Sequence, residues 1–348
     1  MPDNYRIAIV GAASLRGKEL NEALSESSLS TASFLLMDDE SAMGQLESVG
    51  DEVTFVQRIE SSSFEHVDFI FFCGTEEVTT KHWKSGVRAG ASIVDLSYAL
   101  EAEKGVLVRS PWVRDEMNEA APPAAPDLHT PAIVPAHPMT VALALLMLRM
   151  AKLGKVNNAW STVLEPASEY GRAAMDELHQ QTVSLLSFQT LPKAIYDAQL
   201  AFNALPSLGE ESKINLGISE ARIRRHYALL SGGRLPNVHI QLVHAPVFHG
   251  HSFSLAIELE NEATVEQLEQ ALAGEHVEIV LGDADPPSNL SSAGQEDVLV
   301  RIRTADGLDR PSHHFWIWGA FDNLKITALN AVACAMELRR LRPLGKVQ

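Results

Sequence analysis

The chain has 348 residues, of which 46% are hydrophobic and 21% are charged, as in ordinary globular proteins. Its 45 acidic and 28 basic residues give a net charge of −17 at pH 7. This balance disfavours nucleic acid and membrane surfaces as partners, because both require a basic patch. The two cysteines exclude a disulfide scaffold and fit a reducing compartment. No signal peptide or membrane-spanning stretch is apparent, so we expect a cytoplasmic protein of about two domains.

Short aliphatic runs alternate with helical segments in the first third of the chain. The runs lack polar alternation, as strands do when both faces of a sheet are covered. This order predicts an α/β domain, with a parallel sheet and crossover helices. The expected strands are Ile7–Val10, Ser33–Met37, Val53–Val56, Val67–Cys73 and Ser92–Leu96, and the expected helices are Gly17–Ser25 and Val78–Ala89.

A proline-rich segment, Ala121–Pro135, interrupts this pattern and contains few charges. We therefore place a domain boundary at residue 130, which gives domains 1–130 and 131–321. The second domain is predicted to be α+β, with a sheet that has one face available for a partner. Its expected helices are Met139–Leu153, Met175–Leu191, Ser219–Ser231 and Thr264–Ala273, its expected strands are Val238–Val247, Ser252–Glu260, Asp297–Arg303 and His314–Trp318, and the helix Asp322–Leu341 closes the chain.

A loop with glycine at each end follows the first expected strand. It consists of Gly11, Ala12, Ala13, Ser14, Leu15, Arg16 and Gly17. A dinucleotide site needs glycine there, so that the backbone turns tightly and approaches a pyrophosphate at the helix N-terminus. Side chains in the middle of the loop narrow the space for the pyrophosphate. An ordinary strand–helix turn is therefore an equally good interpretation of the loop.

Three acidic residues follow the second expected strand: Asp38, Asp39 and Glu40. In a dinucleotide-binding domain, a carboxylate at this position accepts a hydrogen bond from a ribose hydroxyl and repels a 2′-phosphate. Any dinucleotide that binds is therefore expected to be NAD rather than NADP.

Short motifs along the whole chain resemble those of the aspartate-semialdehyde dehydrogenase family, in the same order. They are IAIVGAASLRGKEL, IVDLSYAL, MDELHQQT, EESKI, SEARI, APVFHGHS, VRIR and FDNLKITALNAV. The resemblance implies an N-terminal Rossmann-like NAD(P)-binding domain and a C-terminal domain that forms a homodimer. It also implies that the final helix, residues 322–342, packs back on the first domain.

The family's catalytic cysteine has no counterpart in this chain. In the family it follows an Asn-Pro-Asn turn and starts a helix, whose dipole lowers the pKa of the thiol. The matching segment reads VPAHPMT. Pro138 or Met139 takes the cysteine's place if the helix sets the alignment, and His137 takes it if Pro135 does. None of these can form a thioester, and Thr140 has a hydroxyl but no evident base to activate it.

Positions around the family's substrate are partly retained. The resemblance implies that His251, in the motif GHS, is the acid–base residue, and that Lys213 and Arg222 stand where the family binds substrate. His244 replaces an arginine that binds the substrate carboxylate, and Glu101 replaces one that binds phosphate. Two anion-binding groups are thereby lost, because a guanidinium holds an anion through paired hydrogen bonds whereas a carboxylate repels it.

No metal cofactor is expected. His249 and His251 would face one side of a strand, so a metal pair is geometrically possible. However, no cysteine or carboxylate stands at ligand-like spacing from this pair. Cys73 is interpreted as a small core residue at a strand end.

Two functions remain open. The first is a non-catalytic member of the family: a dimer that binds a nucleotide or small molecule and acts as a regulatory or interaction protein. The second is an NAD-dependent oxidoreductase that reduces a non-phosphorylated aldehyde directly, with His251 as acid and base. Loss of the nucleophile together with two anion contacts favours the first, because a fold does not carry a function without its site.

Overall fold

The computed structural model describes residues 4–39, 44–49, 52–117 and 125–341. The described chain forms two compact units. Unit 1 contains the described residues up to Ala136 and those from Thr327 onward, and unit 2 is His137–Ile326. In the described ranges, no helix combines the length and apolar character needed to cross a membrane.

Unit 1 is built on a parallel sheet. Its strands are β1 (Arg6–Val10), β2 (Ser33–Asp38), β3 (Leu46–Val49), β4 (Glu52–Phe55), β5 (Gln57–Arg58), β6 (Phe69–Phe72), β7 (Ser92–Asp95), β8 (Leu107–Arg109) and β9 (Ile133–Pro135), and its helices before the second unit are α1 (Leu15–Glu26), α2 (Glu76–Arg88) and α3 (Pro111–Met117). Seven strands of the described chain pair in the order β5-β2-β1-β6-β7-β9-β8, all in parallel, and β3 pairs separately with β4. The predicted α/β domain is confirmed.

Apolar side chains cover both faces of this sheet. In β6, Phe69 and Phe71 join one core cluster, and Ile70 and Phe72 join the other. All four are fully buried, and each such side chain stabilises the fold by about 1.5–3 kcal/mol. The first cluster also contains apolar residues of α1 and of the C-terminal part of α8 (Asn323–Arg339). The expected return of the final helix to the first domain is therefore confirmed.

A buried ion pair joins α8 to the strand at one edge of the same sheet. Arg109, at the end of β8, donates hydrogen bonds to both carboxylate oxygens of Glu337, at 3.0 and 2.5 Å. Arg114 of α3 pairs with the same carboxylate. Because Arg109 and Glu337 are both buried, removing the Glu337 carboxylate would leave the Arg109 guanidinium without this counter-charge, at a cost of about 3–5 kcal/mol.

Unit 2 combines helices with a mixed sheet, which confirms the predicted α+β second domain. Its helices are α4 (Pro138–Leu153), α5 (Arg172–Leu186), α6 (Leu216–Ser231), α7 (Val265–Leu272) and the start of α8, and its strands are β10 (Val156–Glu165), β11 (His239–His244), β12 (His251–Ala263), β13 (Val277–Ile279), β14 (Val298–Thr304) and β15 (Ser312–Phe321). Six strands of the described unit pair in the order β11-β10-β12-β15-β14-β13.

The sequence prediction missed β10, which lies between β11 and β12 in this sheet. Residues of this strand alternate between buried and more exposed positions. The inward positions hold Ser161 and Glu165 as well as Val163, so the apolar period that identifies a strand is weak.

The helix predicted over Met175–Leu191 has different limits in the structure. It begins at Arg172, after Gly171 with φ +85°, and ends at Leu186. Phe188 adopts φ +54°, a left-handed conformation of the kind that terminates helices.

Replacing Gly11 by alanine is expected to destabilise the protein more than the same change at Gly105. Both glycines have φ +84°, where alanine costs about 1–2 kcal/mol. A Cβ on Gly11 would lie 2.3 Å from the Gly74 amide nitrogen, whereas one on Gly105 would meet only the Pro131 ring, at 3.5 Å. Urea unfolding of both variants measures the difference. Equal losses would show that the backbone around Gly11 moves aside.

Candidate functional site

Four side chains line up across the end of the unit 2 sheet, on four neighbouring strands. Glu165, the last residue of β10, pairs in register with His244 of β11. The register of β10 with β12 brings Glu165 beside His251, which in turn pairs with Phe321 of β15. Cross-strand neighbours point to the same face of a sheet, and all four residues are fully buried. We call His244, Glu165, His251 and Phe321 the sheet-end row.

His137 brings a further imidazole to this row from the N-terminus of α4. It is the N-cap residue, and its Nδ1 accepts a hydrogen bond from the Met139 amide at 3.2 Å. Pro138 fills the first helical position, where an amide hydrogen is not needed. The His137 ring lies edge-on to His251, with 5.9 Å between centroids, and its backbone amide donates to Nδ1 of His226.

The imidazoles of His137 and His244 are neutral at pH 7. Burial lowers the pKa of His137 to about 3, although the nearby charge of Glu169 opposes this shift. Burial also lowers the pKa of His244. The capping bond puts the His137 proton on Nε2, 3.6 Å from Glu169 Oε1. In His244 the proton is on Nδ1, 2.9 Å from the Glu165 carbonyl oxygen, so Nε2 carries a lone pair.

Several buried atoms of the sheet-end row have no hydrogen-bond partner in the described chain. They are Glu165 Oε1, His244 Nε2 and both ring nitrogens of His251. The second Glu165 oxygen accepts from the Tyr170 hydroxyl at 2.5 Å, while Oε1 lies 3.8 Å from His251 Nε2, beyond hydrogen-bond distance. Such atoms are uncommon and cost about 1–3 kcal/mol each, which marks the row as a functional candidate.

A second polar cluster lies directly before β12. The oxygen Asn323 Oδ1 accepts from the Ser168 hydroxyl at 3.1 Å and from the Gly250 amide at 3.3 Å. Since the Ser168 hydrogen is used there, Ser168 Oγ accepts from His249 Nδ1 at 3.1 Å. The other ring nitrogen of His249 lies 2.9 Å from Asp322 Oδ2. Both nitrogens face acceptors, so this cluster fits an imidazolium.

This arrangement corrects the expectation that His249 and His251 share one face of a strand. His249 is half-buried in the turn before β12 and contacts Asp322, whereas His251 is the first residue of the strand. Gly250, with φ +82°, turns the chain between them. Among the residues that the structure describes, no group of three or more His, Cys, Asp or Glu side chains is placed to hold a metal ion.

The residues predicted around the substrate are only partly brought together. His244 and His251 lie in the sheet-end row, and the positive charge of half-buried Arg222 acts on His137. Lys213 is exposed, and no described contact joins its side chain to the row. Glu101 belongs to the other unit, in the turn after β7.

The structure describes each residue that the sequence analysis aligned with the family's cysteine. It places the His137 ring opposite His251, while Pro138 and Met139 continue into α4. Thr140 is fully buried, and its hydroxyl donates to the Ile223 carbonyl oxygen at 3.0 Å. That hydroxyl proton is therefore already used in a hydrogen bond between α4 and α6.

The glycine loop of unit 1 connects β1 to α1 at the carboxyl end of the sheet. Gly11 packs against the turn at Gly74, which follows β6. Ser14 is the N-cap of α1, and its Oγ accepts from the Gly17 amide at 3.0 Å. Cys73 is buried beside this turn, and burial raises the pKa of its thiol.

The carboxylate of Asp38 lies beside this loop. Its Oδ2 accepts from the Ala13 amide at 2.9 Å, and its Oδ1 accepts from the Asp39 amide at 2.9 Å. Each carboxylate oxygen can accept a second hydrogen bond, so Asp38 remains able to bind a hydroxyl. Asp39 is exposed, and Glu40 lies outside the described residues.

Sequence reasoning missed several contributors to the site, among them Glu165, Tyr170 and His226. Glu165 was overlooked because its strand was not predicted. No sequence motif indicated that Tyr170 bonds to Glu165 or that His226 bonds to the His137 amide, and these contacts are seen only in the folded chain. Pro138 was a signal in the sequence that His137 caps α4. Proline favours the first helical position, which makes the preceding residue the N-cap.

Replacing His137 by asparagine is expected to reduce the loss of stability on acidification. The pKa of His137 is about 3 in the folded chain, against an ordinary 6.5. Between these values the unfolded chain binds a proton that the folded chain does not, so stability falls as the pH drops from 6.5. Asparagine also caps helices but does not titrate, so the stability of this variant falls less steeply.

Urea unfolding from pH 7 to about pH 4 measures these slopes. His179→Asn, a change at an exposed histidine, is the matched control. A slope in His137→Asn as steep as in the wild type would contradict a neutral, buried His137.

Comparison with protein families identifies both units. The family model "Semialdehyde dehydrogenase, NAD binding domain" matches residues 6–122. The model "Semialdehyde dehydrogenase, dimerisation domain" matches residues 145–326.

Relatives extend over nearly the full length. The chain is 26% identical to an aspartate-semialdehyde dehydrogenase of Rickettsia conorii over 345 residues, 97% of this chain and 98% of the relative. It is 30% identical to a USG-1 protein homolog of Azotobacter vinelandii over 334 residues, 94% of this chain and 96% of the relative.

Solved structures show the same fold. A probable aspartate-semialdehyde dehydrogenase from Pseudomonas aeruginosa superposes with a TM-score of 0.82 and 24% identity, covering 98% of this chain and 99% of that one. The two domain models match successive parts of the chain. The alignments with the relatives extend over both of these parts. The chain belongs to the semialdehyde dehydrogenase family.

Proposed function

We propose that this protein is a dimeric, small-molecule-binding or regulatory member of the family that does not oxidise aspartate semialdehyde to the acyl phosphate. That reaction needs a thiolate that attacks the aldehyde, hydride removal to give a thioester, and phosphate to cleave the thioester. The observation that carries the proposal is the N-terminus of α4, where His137 caps the helix and faces His251.

The N-terminus of α4 offers neither a nucleophile nor donors for an oxyanion. His137 is neutral and uses its Nδ1 lone pair to cap the helix. The amides of His137 and Met139 are engaged by imidazole nitrogens, and Pro138 has no amide hydrogen. A tetrahedral intermediate needs preorganised donors at this position, and these groups are committed to the fold. Thr140 is likewise committed, through its bond to a backbone carbonyl.

The charges of the site disfavour an anionic substrate. The carboxylate groups of Glu165 and Glu169 are buried within it, and His244, which stands in place of a guanidinium, is neutral. A buried acceptor without a partner repels another anion, because the low dielectric strengthens the interaction. Arg222 contributes a positive charge near His137, but a single half-buried cation does not replace the two lost anion contacts.

Single replacement by cysteine is expected not to restore the reaction. The test compares the wild type, His137→Cys, Met139→Cys and the triple variant His137→Cys with Glu101→Arg and His244→Arg. Each is assayed with aspartate semialdehyde, phosphate and either NAD or NADP. We expect no phosphate-dependent turnover by the wild type or the single variants, since each defect affects a different step.

Met139→Cys is the matched control, because it introduces a thiol into α4 without removing the cap. Thermal unfolding verifies that each variant is folded. Appreciable turnover by the wild type would overturn the proposal. Turnover by His137→Cys alone would show that only the thiol is missing and that the anion contacts matter little.

The residues of unit 1 fit a dinucleotide, and we propose NAD rather than NADP. The tight contact of Gly11 with Gly74 admits no side chain, and the first turn of α1 presents the positive end of the helix dipole. Asp38 can accept from a ribose hydroxyl and would repel a 2′-phosphate. When bound, the nicotinamide supplies hydride transfer.

A second candidate is an NAD-dependent oxidoreductase that acts on a non-phosphorylated aldehyde. The observation in its favour is that, among the residues that the structure describes, neither ring nitrogen of His251 has a hydrogen-bond partner, which leaves both nitrogens available to a bound aldehyde. His251 would give a proton to the aldehyde oxygen. NADH consumption with neutral aldehydes, lost in His251→Gln, would favour this candidate over the first.

We propose that unit 2 forms a homodimer. The match of its residues to a dimerisation-domain model supports this, as do Trp160 and Trp316, which are 48% and 38% exposed on neighbouring parts of the sheet. Light scattering is expected to give about twice the protomer mass of 38.0 kDa. Replacing both tryptophans by glutamate should shift the mass towards the protomer. A wild-type mass near that of one protomer at micromolar concentration would contradict the proposal.

A further inference from the structure

The glycine loop lies at the point where the strand order of the unit 1 sheet reverses. β1 has β2 on one side and β6 on the other, so the chain builds the sheet outward in both directions from β1. In open parallel sheets, ligands bind at the carboxyl edge at such a point. Ser14 Oγ lies 3.0 Å from the Cys73 carbonyl oxygen, which ties the loop after β1 to the turn after β6.

Most backbone donors of this loop are engaged within the protein. The amides of Gly11 and Ala12 donate to the Met37 carbonyl oxygen, and the amide of Ala13 donates to Asp38. The amide of Ser14 donates to the Gly11 carbonyl oxygen. A glycine-rich phosphate loop normally directs such amides at the pyrophosphate. A cationic side chain beside the loop would therefore strengthen the binding of a pyrophosphate at the first turn of α1.

Arg16 provides a cation at this edge. It is the second residue of α1, half-buried, and its guanidinium carbon lies 5.4 Å from the centre of the Tyr98 ring. Its charge also acts on Cys73 and Asp95, at the ends of β6 and β7. The guanidinium thus lies near the carboxyl ends of adjacent strands at the reversal point.

Tyr98 is a fixed support for this guanidinium. It is 3% exposed and has φ +67°, which is strained for a bulky residue. The turn is held by buried Asp95, whose carboxylate accepts from the Ser97 hydroxyl at 2.6 Å and from the Leu100 amide at 2.9 Å. Backbone strain that the surrounding structure maintains is typical of binding sites.

We propose that Arg16, held over the ring of Tyr98, binds the diphosphate group of a dinucleotide or nucleoside diphosphate. The inference rests on the nucleotide-binding part of the proposed function. A guanidinium forms paired, charge-assisted hydrogen bonds with phosphate oxygens, and these replace the backbone donors that the loop uses internally. The ligand class is thereby limited to compounds that carry a diphosphate.

Calorimetric titration of the full chain tests this assignment. The ligands are NAD, NADP, ADP-ribose and adenosine, and the variants are Arg16→Gln and Arg16→Lys. Arg88→Gln is the matched control, because Arg88 ends α2 and bonds only to Ser85 in the described contacts.

We expect Arg16→Gln to weaken NAD and ADP-ribose binding by about tenfold or more, since the variant loses charge-assisted hydrogen bonds to the diphosphate. Adenosine binding stays unchanged because it has no phosphate, and Arg16→Lys recovers part of the loss. Binding by the wild type weakens with added salt, and this dependence is reduced in Arg16→Gln. In the wild type, NADP binds more weakly than NAD.

A second pair of variants tests whether the Tyr98 ring supports the Arg16 guanidinium. Tyr98→Phe keeps the ring and should bind NAD as the wild type does, whereas Tyr98→Leu removes the ring and should bind it more weakly. Thermal unfolding distinguishes this effect from a damaged fold.

Three results would overturn the assignment. NAD affinity in Arg16→Gln equal to or above that of the wild type would show that the guanidinium makes no contact or obstructs the site. An equal loss for adenosine would indicate a disturbed loop. Absence of dinucleotide binding by the wild type would remove this inference, while the proposed lack of aldehyde oxidation is decided separately by the turnover assay.

Discussion

The hydrogen bond from the Met139 amide to the His137 ring determines the chemistry of the unit 2 site. A helix N-terminus favours an anion through its dipole, and a thiolate at this position would gain from that field. A neutral imidazole instead satisfies one unpaired amide with its lone pair. The bond requires Nδ1 to be unprotonated, and burial maintains this state by lowering the pKa of His137. In this chain an imidazole cap therefore occupies the N-terminus of α4.

The fixed tautomer of His137 also sets its surroundings. With Nδ1 used by the cap, the Nε2 hydrogen is directed towards the carboxylate of Glu169, at 3.6 Å. Glu169 in turn accepts from the amide group of Asn323 at 3.0 Å, and Asn323 holds the turn that leads to His251. The helix end and the start of β12 thus belong to one polar cluster, which an electrostatic contact between His137 and Glu169 connects. A charged group introduced at position 137 would disturb each of its members.

The sequence predicted the alternation of strands and helices in unit 1 because its strands are short apolar runs buried on both faces. It did not predict β10, whose inward positions include Ser161 and the carboxylate of Glu165. Those polar residues weaken the apolar period, and one of them, Glu165, also forms part of the site. The proximity of Glu165 to His244 and His251 depends on strand register, which no spacing along the chain encodes.

The alignment of residues 137–139 shows a different limit of sequence reasoning. Residue counting allowed His137, Pro138 or Met139, and only the capping geometry places His137 opposite His251. The preference of proline for the first helical turn contained this information. However, the neutrality of His137 follows from burial, which depends on the packing of α4 and α6 and could not be obtained from the motif.

The unpartnered atoms of the sheet-end row carry an energetic cost for the folded protein. In the part of the chain that the structure describes, Glu165 Oε1, His244 Nε2 and the two ring nitrogens of His251 are buried without a hydrogen-bond partner. At about 1–3 kcal/mol per atom, this is a large fraction of the stability of a typical domain, about 5–15 kcal/mol. Apolar residues at the same positions would avoid that cost and still close the end of the sheet. Buried polar groups without partners are uncommon in proteins, and the requirements of the fold alone do not explain their presence at the end of this sheet.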